Sequence, residues 1–181
     1  MRPLTVAVTG GIGAGKSEAL KAFARRGVPT LSADEVVHRL IAGDVEVRAA
    51  LEQRFGTTRR ARIAEIVFAD AGQLAWLESL LHPRVRRATE DWLAGLDAEV
   101  AATEIPLLFE TGGEGRFDAV VVITAPEDVR AARAPQARDT RNQRLIPDEE
   151  KVARADFAYV NDGTLGDLDA FVGRVLERLR A

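Results

Sequence analysis

Lys16 and Ser17 close a glycine-rich run, Thr9-Gly10-Gly11-Ile12-Gly13-Ala14-Gly15, which follows the apolar stretch Leu4-Thr5-Val6-Ala7-Val8. The spacing Gly10-x-x-x-x-Gly15-Lys16-Ser17 is that of a loop that cradles a chain of phosphates. Glycines let the backbone curl so that successive N–H groups point inward at an anion, and they leave room for its close approach. The helix expected next aims its positive end at the same anion. In such a site Lys16 reaches the β- and γ-phosphates of a nucleotide, and the Ser17 hydroxyl joins the shell of a magnesium ion. The competing account is a glycine-rich turn that binds nothing. A strand before the loop and a helix after it argue against that account.

Other residues able to do chemistry sit where strands should end. Asp34, in Ser32-Ala33-Asp34, follows a second short strand, and ligands of an open α/β sheet bind beyond the carboxyl ends of its strands. It is either a carboxylate that takes a proton or helps to hold magnesium, or the N-cap of the next helix, where Asp is favoured. Ser32 is an alternative cap. Glu104 ends a third strand, near the place where phosphate-loop proteins keep an acidic group around magnesium; Glu110 anchors a loop or helix. Arg130, Arg133, Arg138, Arg141 and Arg144 crowd into 15 residues. They read as a lid whose guanidinium groups close on phosphates, with a solvated helix or loop as the alternative. Arg59-Arg60-x-Arg62 and Arg84-x-Arg86-Arg87 read as solvated helix faces. His82, beside Pro83, reads as a cap or hinge.

The elements that must position these groups follow from periodicity. Residues 4–9 predict a buried parallel strand, 15–26 a helix stopped by Gly27, and 28–32 a second strand, early or at an edge because of Pro29. Helical spacing then runs through 35–42, 45–55, 61–69, 73–81 and 84–96, with a break expected at His82-Pro83. Strands are expected over 99–105, 118–123 and 157–160, and helices after Pro126 and over 148–155. The last helix should bury Leu165, Leu168, Phe171, Val172, Val175, Leu176 and Leu179.

Composition sets the outer limits. The chain has 181 residues, 46% hydrophobic and 29% charged, with a net charge of −3. That suits one domain with a helical insertion and gives no basic field for nucleic acid. The absence of cysteine excludes disulfides, thiol catalysis and Cys-based zinc sites, and with only His38 and His82 a His-cluster metal site is not expected. No stretch reads as a signal peptide or membrane span. The expected setting is the cytoplasm, and the expected form a monomer.

Taken in order, the motifs resemble those of the dephospho-coenzyme A kinase family, nearly end to end. Val8 to Ser17 is similar to its P-loop, Ser32-Ala33-Asp34 to its Asp-Ala-Asp element, and Leu80-Leu81-His82-Pro83 to its Leu-Leu-His-Pro motif. Ile105-Pro106-Leu107-Leu108-Phe109-Glu110 matches its Pro-Leu-Leu-Phe-Glu signature. Gln143, Lys151, Ala155-Asp156 and Asn161-Asp162-Gly163-Thr164 follow in family order. The resemblance implies an α/β P-loop core with a five-stranded parallel sheet (1–34 and 98–181), a helical region for the acceptor (35–97) and a short lid near 130–147. It implies transfer of the γ-phosphoryl of ATP to the ribose 3′-hydroxyl of dephospho-CoA, giving CoA and ADP. Gly11, Ile12, Gly13, Ala14, Gly15, Lys16, Ser17 and Glu18, with Asn161 and Gly163, would bind ATP. Asp34 would be the base, assisted by Lys16, Arg133 and Arg138, and Ser17 and Asp34 would hold Mg2+. Glu18 replaces a second hydroxyl residue common in the family, and the segments near Phe55 to Arg59 and Arg138 to Gln143 are shorter than usual. A related small-molecule kinase, or a non-catalytic nucleotide-binding regulator with a shortened lid, are the other readings.

Overall fold

The apolar run at the N-terminus becomes the middle strand of a sheet. A computed structural model describes residues 2–134 and 146–181. In it β1 (Leu4–Gly10) lies between β3 (Val100–Glu104) and β4 (Ala119–Thr124), with β2 (Thr30–Ser32) and β5 (Phe157–Val160) at the two edges. Every pairing is parallel, so the sheet has the order β2-β3-β1-β4-β5. Parallel strands covered on both faces read as unbroken apolar runs, as β1 and β4 do. Pro29 stands just before the edge strand β2, where its missing N–H costs no ladder bond, and its carbonyl accepts from Ala102 N–H at 3.0 Å.

The two-residue side-chain period divides the core. Val6 and Val8 of β1 and Val121 and Ile123 of β4 face one layer, packed with Phe23 of α1 (Lys16–Arg25) and Val172 of α8 (Leu165–Leu179). Ala7, Val120 and Val122 face the other, with Leu108 and Phe109. α8 starts in a capping box between Thr164 and Asp167. Of its expected apolar face, Leu168, Phe171, Val172, Val175 and Leu176 are buried, but Leu165 is exposed. It lies in the first turn, before the stripe meets the sheet.

The described chain forms two compact units, residues 1–32 with 96–181, and 33–95. The second consists of α2 (Ala33–Gly43), α3 (Val45–Phe55), α4 (Arg60–Ala69) and α5 (Ala71–Ala94). Its own core gathers Ile41, Val47, Leu51, Ile63, Val67 and Leu81. α3 is capped by Asp44, whose carboxylate accepts from Val47 N–H at 2.9 Å.

One expectation fails here. α5 runs unbroken through Pro83 for 24 residues, so His82 is neither a cap nor a hinge at a helix end. Proline inside a helix removes one ladder bond and crowds the carbonyl four residues back. The Arg84 guanidinium donates to the neighbouring Leu80 carbonyl at 2.9 Å. One turn further on, the Thr89 hydroxyl donates back to the Val85 carbonyl at 2.8 Å, a common contact of threonine in helices.

The remaining helices, α6 (Glu127–Arg133) and α7 (Asp148–Ala153), belong to the first unit. Most of the expected lid, with Arg138, Arg141, Gln143 and Arg144, lies outside the described residues.

Candidate active site

β1 ends at Gly10, and the chain turns through Gly11-Ile12-Gly13-Ala14 to Gly15, the N-cap of α1. Gly10, Gly13 and Gly15 are required by their surroundings: Gly10 has φ +144°, and a Cβ there would stand 1.9 Å from the Ile123 carbonyl. Gly13 has φ +75°, and a Cβ there would stand 2.8 Å from the Arg130 carbonyl; Gly15 has φ +102°, and a Cβ there would meet Asn161 Nδ2 at 2.2 Å. Gly15 offers no side-chain cap to α1. The first N–H groups of the helix therefore stay directed at the loop, together with the positive end of its dipole.

Lys16 is 9% exposed, and its ammonium donates to the Gly11 carbonyl at 2.9 Å. A buried cation needs such a partner, and this one holds the charge across the loop. The exposed Ser17 hydroxyl lies 3.2 Å from both carboxylate oxygens of Glu104. Glu104 is itself 5% exposed, at the carboxyl end of β3. In register it sits between Val8 of β1 and Ser32 of β2. Topology thus delivers a buried carboxylate to the residue after the loop lysine. Sequence reasoning noted Glu104 without including it among the site residues; an acid ending an otherwise uncharged strand was the available signal.

Asn161, just beyond β5, is buried and ties three segments together. Its amide donates to the Ala14 carbonyl at 2.8 Å, its backbone N–H to the Thr124 carbonyl at 2.7 Å, and its own carbonyl accepts from Arg133 Nη1 at 3.1 Å. Arg133 and Asn161 are thereby brought together with the glycine loop. Gly163 is exposed, and a Cβ there would press on Asp167 of the α8 capping box at 2.8 Å. Glu18 pairs with Lys21 at 2.6 Å on the α1 surface, and Ile12 is half-buried in the loop.

Asp34 does not cap α2, because the helix already begins at Ala33. It lies exposed in the first turn, two residues past Ser32. The capping account of this carboxylate is therefore removed. Several arginines of the helical unit have local partners. Arg60 meets His38 Nδ1 at 2.7 Å, Arg62 pairs with Glu65 at 2.5 Å, and Arg84 with Glu46 at 3.2 Å.

Glu110 is an anchor, as expected. Its carboxylate pairs with Lys151 at 2.9 Å, the lysine being 1% exposed, and accepts from Ile146 N–H at 3.2 Å. This joins the segment after β3 to α7.

The family model for dephospho-CoA kinase matches residues 4–167. A curated dephospho-CoA kinase from Mesorhizobium japonicum is 38% identical over 191 residues, spanning 98% of this chain and 97% of that one.

The chain belongs to the dephospho-CoA kinase family.

Solved structures agree with that membership. The dephospho-CoA kinase from Campylobacter jejuni superposes with a TM-score of 0.70 at 25% identity, covering 97% of this chain and 96% of that one. A crystal structure from Thermus thermophilus reaches a TM-score of 0.81 at 32% identity, with 99% of each chain covered. The P-loop kinase fold and the activity of this family, ATP-dependent phosphorylation of dephospho-CoA, are those that the ordered motifs imply. No helix among the described residues is long and apolar enough to cross a membrane.

Proposed function

We propose that this chain moves the γ-phosphoryl group of ATP to the ribose 3′-hydroxyl of dephospho-CoA, with Asp34 as the proton acceptor and Gly11 to Glu18 as the phosphate site. The observation that carries the reading is the meeting of Lys16, Ser17 and Glu104 at one end of the sheet. Ser32, in register with Glu104, leads the chain directly into Asp34.

The steps follow from charge. Phosphoryl transfer passes through a loose transition state with charge spread over the equatorial oxygens, so positioning and electrostatic stabilisation dominate. The loop N–H groups and Lys16 hold the β- and γ-phosphates. Arg133, tethered to the Asn161 carbonyl, and Arg138 add positive charge. Asn161 and Gly163 flank the nucleotide. Asp34 orients the 3′-hydroxyl in line and takes its proton as the new O–P bond forms. The bond between the γ-phosphorus and the bridging oxygen breaks, and ADP leaves with the electron pair.

The hydroxyl of Ser17 and the carboxylate of Glu104 are hard oxygen donors, the set that suits Mg2+. Among the described residues no group of three or more acidic or histidine side chains gathers as a metal cage. Mg2+ is suited by one or two protein oxygens together with the nucleotide's own phosphates. Ser17 would hold it, with Glu104 behind and Asp34 as a further carboxylate. Bound there, Mg2+ neutralises charge that builds on the phosphates. Residues 33–95 form the region for dephospho-CoA, and the enzyme works as a monomer.

The test is an ADP-release assay with magnesium and ATP, with and without dephospho-CoA, and the product weighed by mass spectrometry. Acceptor-dependent ADP release with formation of CoA is expected. ATP binding without transfer would overturn the catalytic reading, and transfer to a different acceptor would overturn the substrate.

A further inference from the structure

One ion pair beside the phosphate loop has no part in the reaction as set out above. Arg130 Nη1 donates to Asp148 Oδ2 at 3.2 Å, joining α6 to the first residue of α7. The same guanidinium lies against the loop. A Cβ added at Gly11 would come within 2.7 Å of Arg130 Nη1 and 3.5 Å of Asp148 Oδ1. Gly11 is also the residue whose carbonyl holds the Lys16 ammonium. Lys16 and Arg130 thus flank one glycine at the start of the loop.

We propose that Arg130 binds the β- or γ-phosphate of ATP, and that Asp148 competes with the nucleotide for it, lowering nucleotide affinity. The inference rests on the reading of Gly11 to Ser17 as an ATP site. Guanidinium donates to carboxylate or phosphate in the same two-pronged geometry, and the polyphosphate offers more negative charge than one carboxylate. The side chains of Arg130 and Asp148 are 32% and 28% exposed. Solvent screens such a pair and leaves it weak, so it yields to phosphate. The backbone of Arg130 packs on Gly13, which keeps the side chain at the loop whichever partner it holds. Arg133, three residues on, is tethered to the Asn161 carbonyl instead.

The experiment is calorimetric titration of the full chain with the β,γ-imido analogue of ATP and, separately, with AMP. Arg130→Ala is expected to weaken binding of the analogue about tenfold while leaving AMP binding unchanged. Asp148→Asn is expected to tighten the analogue about threefold, an effect that disappears in the Arg130→Ala background. Thermal melting checks that each variant is folded, with Arg130→Gln and Asp148→Ser as replacements for any that is not. Unchanged binding in Arg130→Ala overturns the proposal, as does weaker binding in Asp148→Asn. Tightening of equal size in both backgrounds overturns the competition. Lys16→Ala separates the two levels of argument. If it weakens binding and Arg130→Ala does not, only this inference falls; if neither changes binding, the ATP site itself is misplaced.

Discussion

Asp34 shows how little a residue type says until its backbone position is known. As an N-cap it would be a structural group; inside the first turn of α2, exposed and uncapping, its carboxylate is available for chemistry. Replacing Asp34 by Asn keeps size and polarity but removes the proton acceptor. Turnover is expected to fall about 10²- to 10⁴-fold with ATP affinity retained; full turnover in steady-state assays would rule out the base assignment. Asn161 works through geometry alone. Its amide donates to the buried Ala14 carbonyl, so Asn161→Ala removes that donor from a buried acceptor. A stability loss of about 1–3 kcal/mol is expected, read by denaturant unfolding, together with a raised KM for ATP. An unchanged KM would detach this contact from the shape of the loop.

Elements are held in register by a few polar ties as well as by ladders. Asp118, just before β4, accepts from the Thr5 N–H at 2.8 Å and the Thr5 hydroxyl at 2.7 Å in β1, and from Arg2 at 2.7 Å. Burial pushes the Asp118 carboxyl up, but the Thr5 and Arg2 donors together outweigh it and hold it below the ordinary Asp value. A carboxylate with a depressed folded-state pKa stabilises the fold above its unfolded value, about 4, and loses that contribution as pH falls through the folded value. Asp118→Asn should therefore melt at a lower temperature than the parent at pH 7, and the gap should close below about pH 4. A gap independent of pH would mean that the tie is not electrostatic. In α5 the exposed Pro83 ring sits inside a continuous helix. Pro83→Ala is expected to raise stability by about 1–3 kcal/mol, seen as a higher melting temperature. A lower one would show that the proline stabilises more through the unfolded chain than it costs in the helix.

At the scale of the molecule, each compact unit carries its own apolar centre, Phe23 and its neighbours in one and Leu51 with Val47 in the other. Leu51 is fully buried. Leu51→Ala should cost about 2–5 kcal/mol and, if residues 33–95 receive the acceptor, raise the KM for dephospho-CoA more than that for ATP. An equal rise in both constants would argue against that division of labour. The amino-acid sequence by itself determined the phosphate loop, the parallel character of the strands and the helical nature of residues 33–95. These rest on local signals: a glycine pattern, unbroken apolar runs and a helical period. The sequence also carried the family motifs in order. Tertiary structure decided what no window of sequence contains. It placed β3 between β1 and β2, and so set Glu104 against Ser17; it brought Asn161 to Ala14 across 147 residues; and it put Arg130 beside Gly11. It also carried α5 through Pro83 and left Leu165 in solvent. The physical reason is common to all of these. Backbone preference acts over a few residues, whereas strand order, long-range polar pairing and the tolerance of a poor helix former depend on which faces are buried together when the whole chain packs.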